Sequence, residues 1–141
     1  MIKSLFRISV SVGLLGMAFG IFMGIKQDFA LAAAHAHLNL LGFVTIFLSA
    51  LYYRAFPAAA VSRLARYQAV VSVVGAILFP IGIACVLLGG HDRFEPVVVA
   101  GALMVFAGMV LFAAIVYRTA GSGWPPAGAG PRPDDGTLIR R

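Results

Sequence analysis

The sequence predicts an all-α integral membrane protein with four transmembrane helices. Of its 141 residues, 61% are hydrophobic and only 11% are charged, whereas soluble domains carry about 25% charged residues. The charges cluster between four long apolar segments. Each segment exceeds the ~20 residues that a helix needs to cross a hydrocarbon core of ~30 Å. One membrane domain, residues 1–118, therefore uses almost the whole chain.

The four predicted spans follow one another with short connectors. The first begins at about Leu5, and its apolar run is longer than the ~7–15 residues of a signal peptide, so we expect it to be retained. The second ends at Arg54, the third at glycines 89–90 and the fourth at Arg118. Polar residues 89–95 form the expected last connector. In numbers, the spans cover about residues 5–25, 29–53, 67–88 and 96–117.

Basic residues predict the orientation. They cluster at the amino terminus, in the second connector and after the fourth span: Lys3, Arg7, Arg54, Arg63, Arg66, Arg118, Arg132, Arg140 and Arg141. The positive-inside rule then places both termini in the cytoplasm, in what we expect to be a bacterial inner membrane. The net charge of +6 thus indicates topology rather than nucleic-acid binding. Residues 119–141, rich in Pro and Gly, are expected to form a flexible cytoplasmic tail.

Two histidines, His35 and His37, lie in the second span toward its outer, periplasmic end. Ionisable groups at membrane depth are costly and mark functional sites by default, and imidazole is a ligand for haem iron, copper or zinc. Positions i and i+2 of a helix are about 200° apart, so the two rings must face different partners. The only cysteine is Cys85, and no Cys-x-x-Cys-His motif is present. Any haem would therefore be bound non-covalently.

The second span has two contrasting faces at 100° per residue. A small and polar stripe comprises His35, Asn39, Gly42, Ile46, Ser49 and Tyr53. The opposite, bulky face comprises His37, Leu41, Val44, Leu48 and Leu51. Since each face carries a histidine that needs a partner, we expect this helix to be buried on both sides. Such burial favours an oligomer over a four-helix monomer.

Glycines mark a second possible contact surface. Gly13, Gly16, Gly20 and Gly24 recur on one face of the first span, and Gly101 and Gly108 recur at seven residues in the fourth. Small residues let a neighbouring backbone approach closely. We expect the first-span face to accept either another helix or a flat cofactor.

The segment His37-Leu38-Asn39-Leu40-Leu41, with Tyr52-Tyr53 and Pro57 after it, resembles the second transmembrane helix of catalytic subunits in the haem–copper oxidase superfamily. The nitric oxide reductase branch is the most similar. In that family the matching histidine is an axial ligand of the low-spin haem near the outer membrane face. The resemblance thus implies that His37 ligates haem iron.

The number of spans in that family implies an oligomer as well. Those subunits have twelve spans in three pseudo-symmetric arcs of four, and a His-x-His pair on the tenth span serves two haems. Three copies of a four-span chain would resemble the whole fold. The resemblance therefore implies a homotrimer in which haem b lies between protomers, ligated by His37 of one chain and His35 of the next. Asn39, as a residue that orients an imidazole, and Gly42 would complete the cofactor site.

The chain also departs from the family. Its catalytic centre needs about three further histidines, and only His91 remains here. No carboxylate or lysine lies in the middle of a span, so no catalytic residue is expected. Bis-histidine ligation leaves no open iron position and favours electron transfer. Two alternatives stay open: a non-redox copper- or metal-handling or assembly protein, with Met23 and His91 as possible extra ligands, and histidines that only hydrogen bond to backbone carbonyls or Asn39.

Overall fold

The computed structural model describes residues 1–121 and confirms the four spans. Its four long helices comprise Ile2–Lys26, Ala32–Ala55, Arg63–Gly89 and His91–Gly121. By length and composition all four can cross a membrane. We call them the first to fourth spans. The expected tail falls largely on residues 122–141, which lie outside the described part of the chain.

The first connector is a tight turn after Lys26. Gln27 adopts a left-handed conformation with φ of 53°, and its N–H donates to the Gly24 carbonyl at 3.3 Å. The side chain of Asp28 then accepts a hydrogen bond from the Ala30 N–H at 3.0 Å. This polar turn ends the first helix and reverses the chain direction.

The other two connectors are shorter than expected. A single helical turn, Pro57–Ala60, precedes the third span, which begins at Arg63 because Ser62 Oγ accepts from the Ala65 N–H at 3.1 Å. The polar segment 89–95, expected as a connector, is helical from His91 onward. Gly90, with φ of +100°, makes the whole turn, which few other residues could do.

The third and fourth spans pack with their backbones in close contact through glycines from both helices. A Cβ added to Gly101 would lie 2.6 Å from Phe79 Cα, and one on Gly82 would lie 2.9 Å from Val98 N. Gly75 faces the Val105 backbone in the same way. The seven-residue glycine spacing therefore serves helix packing.

A buried core joins all four spans at the end of the bundle that carries the amino terminus. It comprises Leu5, Ile46, Ala50, Tyr53, Ala65, Ala69, Ala76 and Ile115. Within it the Tyr53 hydroxyl donates to Gln68 Oε1 at 2.8 Å, and Gln68 Nε2 donates to Ser72 Oγ at 3.0 Å. Gln68 is only 1% exposed, so this chain of hydrogen bonds gives its amide the partners that a membrane interior requires.

Replacing Gly101 with Ala should destabilise the protein by about 1–3 kcal/mol, because the added methyl group has to displace the Phe79 backbone. Unfolding of the purified protein in one detergent, by heat or by a denaturing detergent, measures the loss. Gly24→Ala is the matched control, since no atom lies within 4 Å of its added Cβ. Equal losses in both variants would contradict the packing account.

Replacing Tyr53 with Phe should lower the unfolding free energy by about 1–3 kcal/mol, because Gln68 Oε1 then lacks its donor inside the core. The same unfolding measurement applies. Tyr52→Phe is the control, because Tyr52 is half-buried and its hydroxyl makes no hydrogen bond among the described residues. A Tyr53→Phe variant as stable as this control would refute the proposed role of the Tyr53 hydroxyl.

Candidate functional site: the histidine pair of the second span

The second span changes helical type directly after the histidine pair. Ala32–His37 is α-helical, Leu38–Thr45 is π-helical, and the α-helix resumes over Ile46–Ala55. Thr45 Oγ1 donates to the Leu40 carbonyl, five residues earlier, at 2.9 Å. Helical segments of this wider type are rare and are frequent at functional sites. Nothing in the residue pattern predicted it.

His35 lies against the first span. Its ring contacts Phe19 edge-on, with the ring centroids 6.0 Å apart, and it covers Gly20, where an added Cβ would lie 2.7 Å from His35 Cε1. Asn39 Nδ2 donates to the His35 carbonyl at 3.0 Å and lies 3.3 Å from His35 Nδ1. Asn39 thus holds the His35 ring in place, as expected of an orienting residue.

The glycine face of the first span serves helix packing at three of its four positions. Phe43 covers Gly13, the Asn39 amide covers Gly16, and His35 covers Gly20. Of the two expected uses of this face, a helix rather than a flat cofactor occupies these three positions. Only Gly24 has open space around it.

His37 faces the third span. Its ring stands edge-on to Phe79, with centroids 5.0 Å apart and planes at 83°. Its Nδ1 lies 2.8 Å from the Ala33 carbonyl, one turn earlier. The two histidine rings therefore contact different helices, which confirms the expectation from their i, i+2 spacing.

The small and polar stripe is largely buried as expected, since Gly42, Ile46, Ser49 and Tyr53 are all in the interior. Gly42, expected at the cofactor site, is covered by the Val12 side chain of the first span.

Contacts on both faces of this helix, which favoured an oligomer in the sequence, are made within one chain at the two histidines. Within a single chain, the first span covers His35 and the third covers His37. Further along the bulky face, Leu48 is 57% exposed and Leu51 is 44% exposed, as befits contact with lipid. Burial of the histidines therefore does not by itself require a second copy.

In their neutral forms, the two rings are given opposite tautomers by these hydrogen bonds. A carbonyl oxygen only accepts, so His37 Nδ1 must carry the proton that it donates to Ala33, and His37 Nε2 keeps a free lone pair. Asn39 Nδ2, oriented by its bond to the His35 carbonyl, donates to His35 Nδ1. His35 therefore carries its proton on Nε2. Only His37 presents a ring nitrogen ready to bind a metal.

Other candidate ligands do not gather around this pair. Among the described residues, no three His, Cys, Asp or Glu side chains come together as a metal site. Met23, 6% exposed, lines a cleft of about 390 Å³ at the end of the bundle opposite the amino terminus, and neither His35 nor His37 lines that cleft. Cys85 is a free, half-buried thiol. The side chain of His91 lies outside the described part of the chain.

A small cavity in the bundle interior is not lined by either histidine. It lies among the second, third and fourth spans, bounded in part by Leu41, Ser49 and Ser72. Its volume of about 20 Å³ holds about one water molecule. A porphyrin cannot enter it.

Comparison with known proteins adds no relative: no family model, no curated protein and no solved structure matches the chain.

Solution or solid-state NMR of ¹⁵N-histidine-labelled protein should find His37 as the Nδ1–H tautomer and His35 as the Nε2–H tautomer, because their hydrogen-bond partners differ. A His91→Gln background removes the third signal. Asn39→Ala should release His35 from its tautomer and leave His37 unchanged. Identical tautomers at both histidines would refute the assignment.

Proposed function

We propose that this chain is a membrane b-type haem protein in which His37 Nε2 would bind the iron. One observation carries the proposal: His37 Nδ1 donates to the Ala33 carbonyl at 2.8 Å. Metal-ligating histidines almost always donate their other ring N–H to a carbonyl, carboxylate or water, which fixes the ring and its tautomer. The edge-on contact with Phe79 further restrains the ring.

The haem lies outside the single bundle in this proposal. His35 and His37 of one chain face different helices and cannot bind one iron from both sides. The interior cavity of about 20 Å³ is far smaller than the ~300–1,000 Å³ of ordinary ligand pockets, and the cleft of about 390 Å³ is lined by neither histidine. His37 is half-buried, so a haem would reach it from the surface, at a contact with another copy.

A histidine of that other copy would supply the second ligand to the iron. In the homotrimer implied by the haem–copper oxidase resemblance, this residue is His35 of the neighbouring chain. His35 would then have to leave Gly20 and its contact with Asn39. His37 of the second copy is the histidine that could serve without this rearrangement. Haem with two histidine ligands supplies one-electron transfer, and the residues of this chain bind and orient the group.

Replacing His37 with Ala should reduce haem affinity at least tenfold, because the iron loses the ligand whose lone pair is free. The visible spectrum of protein purified with haem supply measures it: the wild type should give a sharp Soret band and split α and β bands on reduction. His91→Ala is the control and should keep the spectrum. A folded, colourless wild type that binds copper instead would favour the metal-handling alternative, and an unchanged His37→Ala spectrum would exclude His37.

The His35→Ala variant separates the two ligation schemes. Loss of the low-spin spectrum with haem still bound supports His35 of a neighbour as the second ligand. Retention of the low-spin spectrum excludes His35 as the second ligand. The two ligands would then be His37 of one copy and His37 of the other. Mass in detergent solution then tells a trimer from a dimer.

A further inference from the structure

One end of the bundle carries only positive charge among the described residues. This end, which we call the basic end, comprises the amino terminus, the second connector and the end of the fourth span. Its charged side chains are Lys3, Arg7, Arg54, Arg63, Arg66 and Arg118. The described carboxylate side chains, Asp28 and Glu95, lie near the turns at the opposite end. The basic end therefore lacks internal partners for its cations within residues 1–121.

Two of these cations lie where the helix itself disfavours them. Arg63 is the first residue of the third span, directly after the Ser62 cap, and Arg66 follows three residues later. Residues three apart share a helix face, so their like charges repel. The positive end of the helix dipole also disfavours cations in the first turn. A bound anion would reduce both the repulsion between the two arginines and their unfavourable interaction with the helix dipole.

The two arginines and Tyr67 line one polar cleft of about 310 Å³. Arg63 and Arg66 are both exposed, and Tyr67 is 66% exposed. A guanidinium group matches phosphate oxygens in a bidentate way that an ammonium group does not. Tyrosine is enriched at the level of lipid headgroups, where its ring is in apolar surroundings and its hydroxyl is wet.

We propose that this cleft binds the phosphate of an anionic phospholipid headgroup, with Arg63 and Arg66 as its charged ligands and Tyr67 along the lipid. After Tyr67 the third span is apolar apart from Gln68 and Ser72, so we expect the cleft to lie at the level of the lipid phosphates. Anionic lipids attract clustered arginines at the membrane surface. The proposal is independent of any role in haem binding.

Native mass spectrometry of delipidated protein with added lipid tests the proposal. The wild type should retain phosphatidylglycerol in preference to phosphatidylcholine. The double variant Arg63→Gln/Arg66→Gln should lose at least tenfold in phosphatidylglycerol affinity. Lys3→Gln/Arg7→Gln is the matched control, because it removes the same charge from the same end without touching the cleft, and it should change affinity less than twofold.

Three outcomes would overturn the site. Equal losses in the two double variants would mean diffuse attraction to the basic end, and unchanged binding in both would mean that the cleft binds no lipid. Displacement of the lipid by an equal concentration of inorganic phosphate would identify a free anion as the ligand. Since Arg63 and Arg66 are exposed and unfavourably placed at the helix start, their double variant should unfold at or above the wild-type temperature, which separates lost binding from lost folding.

Discussion

The placement of the second span between the first and the third determines which partners its polar side chains, and the two histidines above all, can reach. A membrane interior offers no water, so each polar group on that helix must find its partner on a neighbour or on its own backbone. Asn39 hydrogen bonds to the ring and the carbonyl of His35. Both side chains fit against the first span because Gly16 and Gly20 leave room for them there. His37 uses the carbonyl one turn before it and the edge of Phe79. The two histidines thereby acquire different chemical states.

The two histidines differ in which ring nitrogen is free to bind a metal. Both histidines lie in one short helical segment, yet the hydrogen bonds leave a free lone pair on His37 and a proton on the same nitrogen of His35. A residue that is held in place and has an open acceptor is suited to bind iron. The His35 ring, whose Nδ1 accepts from Asn39 and whose edge packs on Gly20, is suited to helix packing. The two histidines look equivalent in the sequence, but in the structure their rings have different hydrogen bonds and different neighbours.

Residue patterns predicted the fold better than its details. Long apolar runs are sufficient for a membrane helix, because length and composition decide insertion. Helix ends depend on single caps and turns, so Ser62 and Gly90 moved the predicted boundaries by several residues. The π-helix after His37 had no signature, because its hydrogen bonds reflect how the second span fits against its neighbours. Gln68 in the core was likewise missed, since its partner Tyr53 lies fifteen residues away on another helix.

By itself the sequence determined that four helices can cross a membrane and that His35 and His37 point apart, because helical periodicity is local. It also identified Asn39 as the residue that orients an imidazole. Only the tertiary structure decided which helix each ring meets and which nitrogen carries the proton, because those depend on contacts between spans. The same contacts cover the second span on two sides within one chain, because the first span packs on His35 and the third packs on His37.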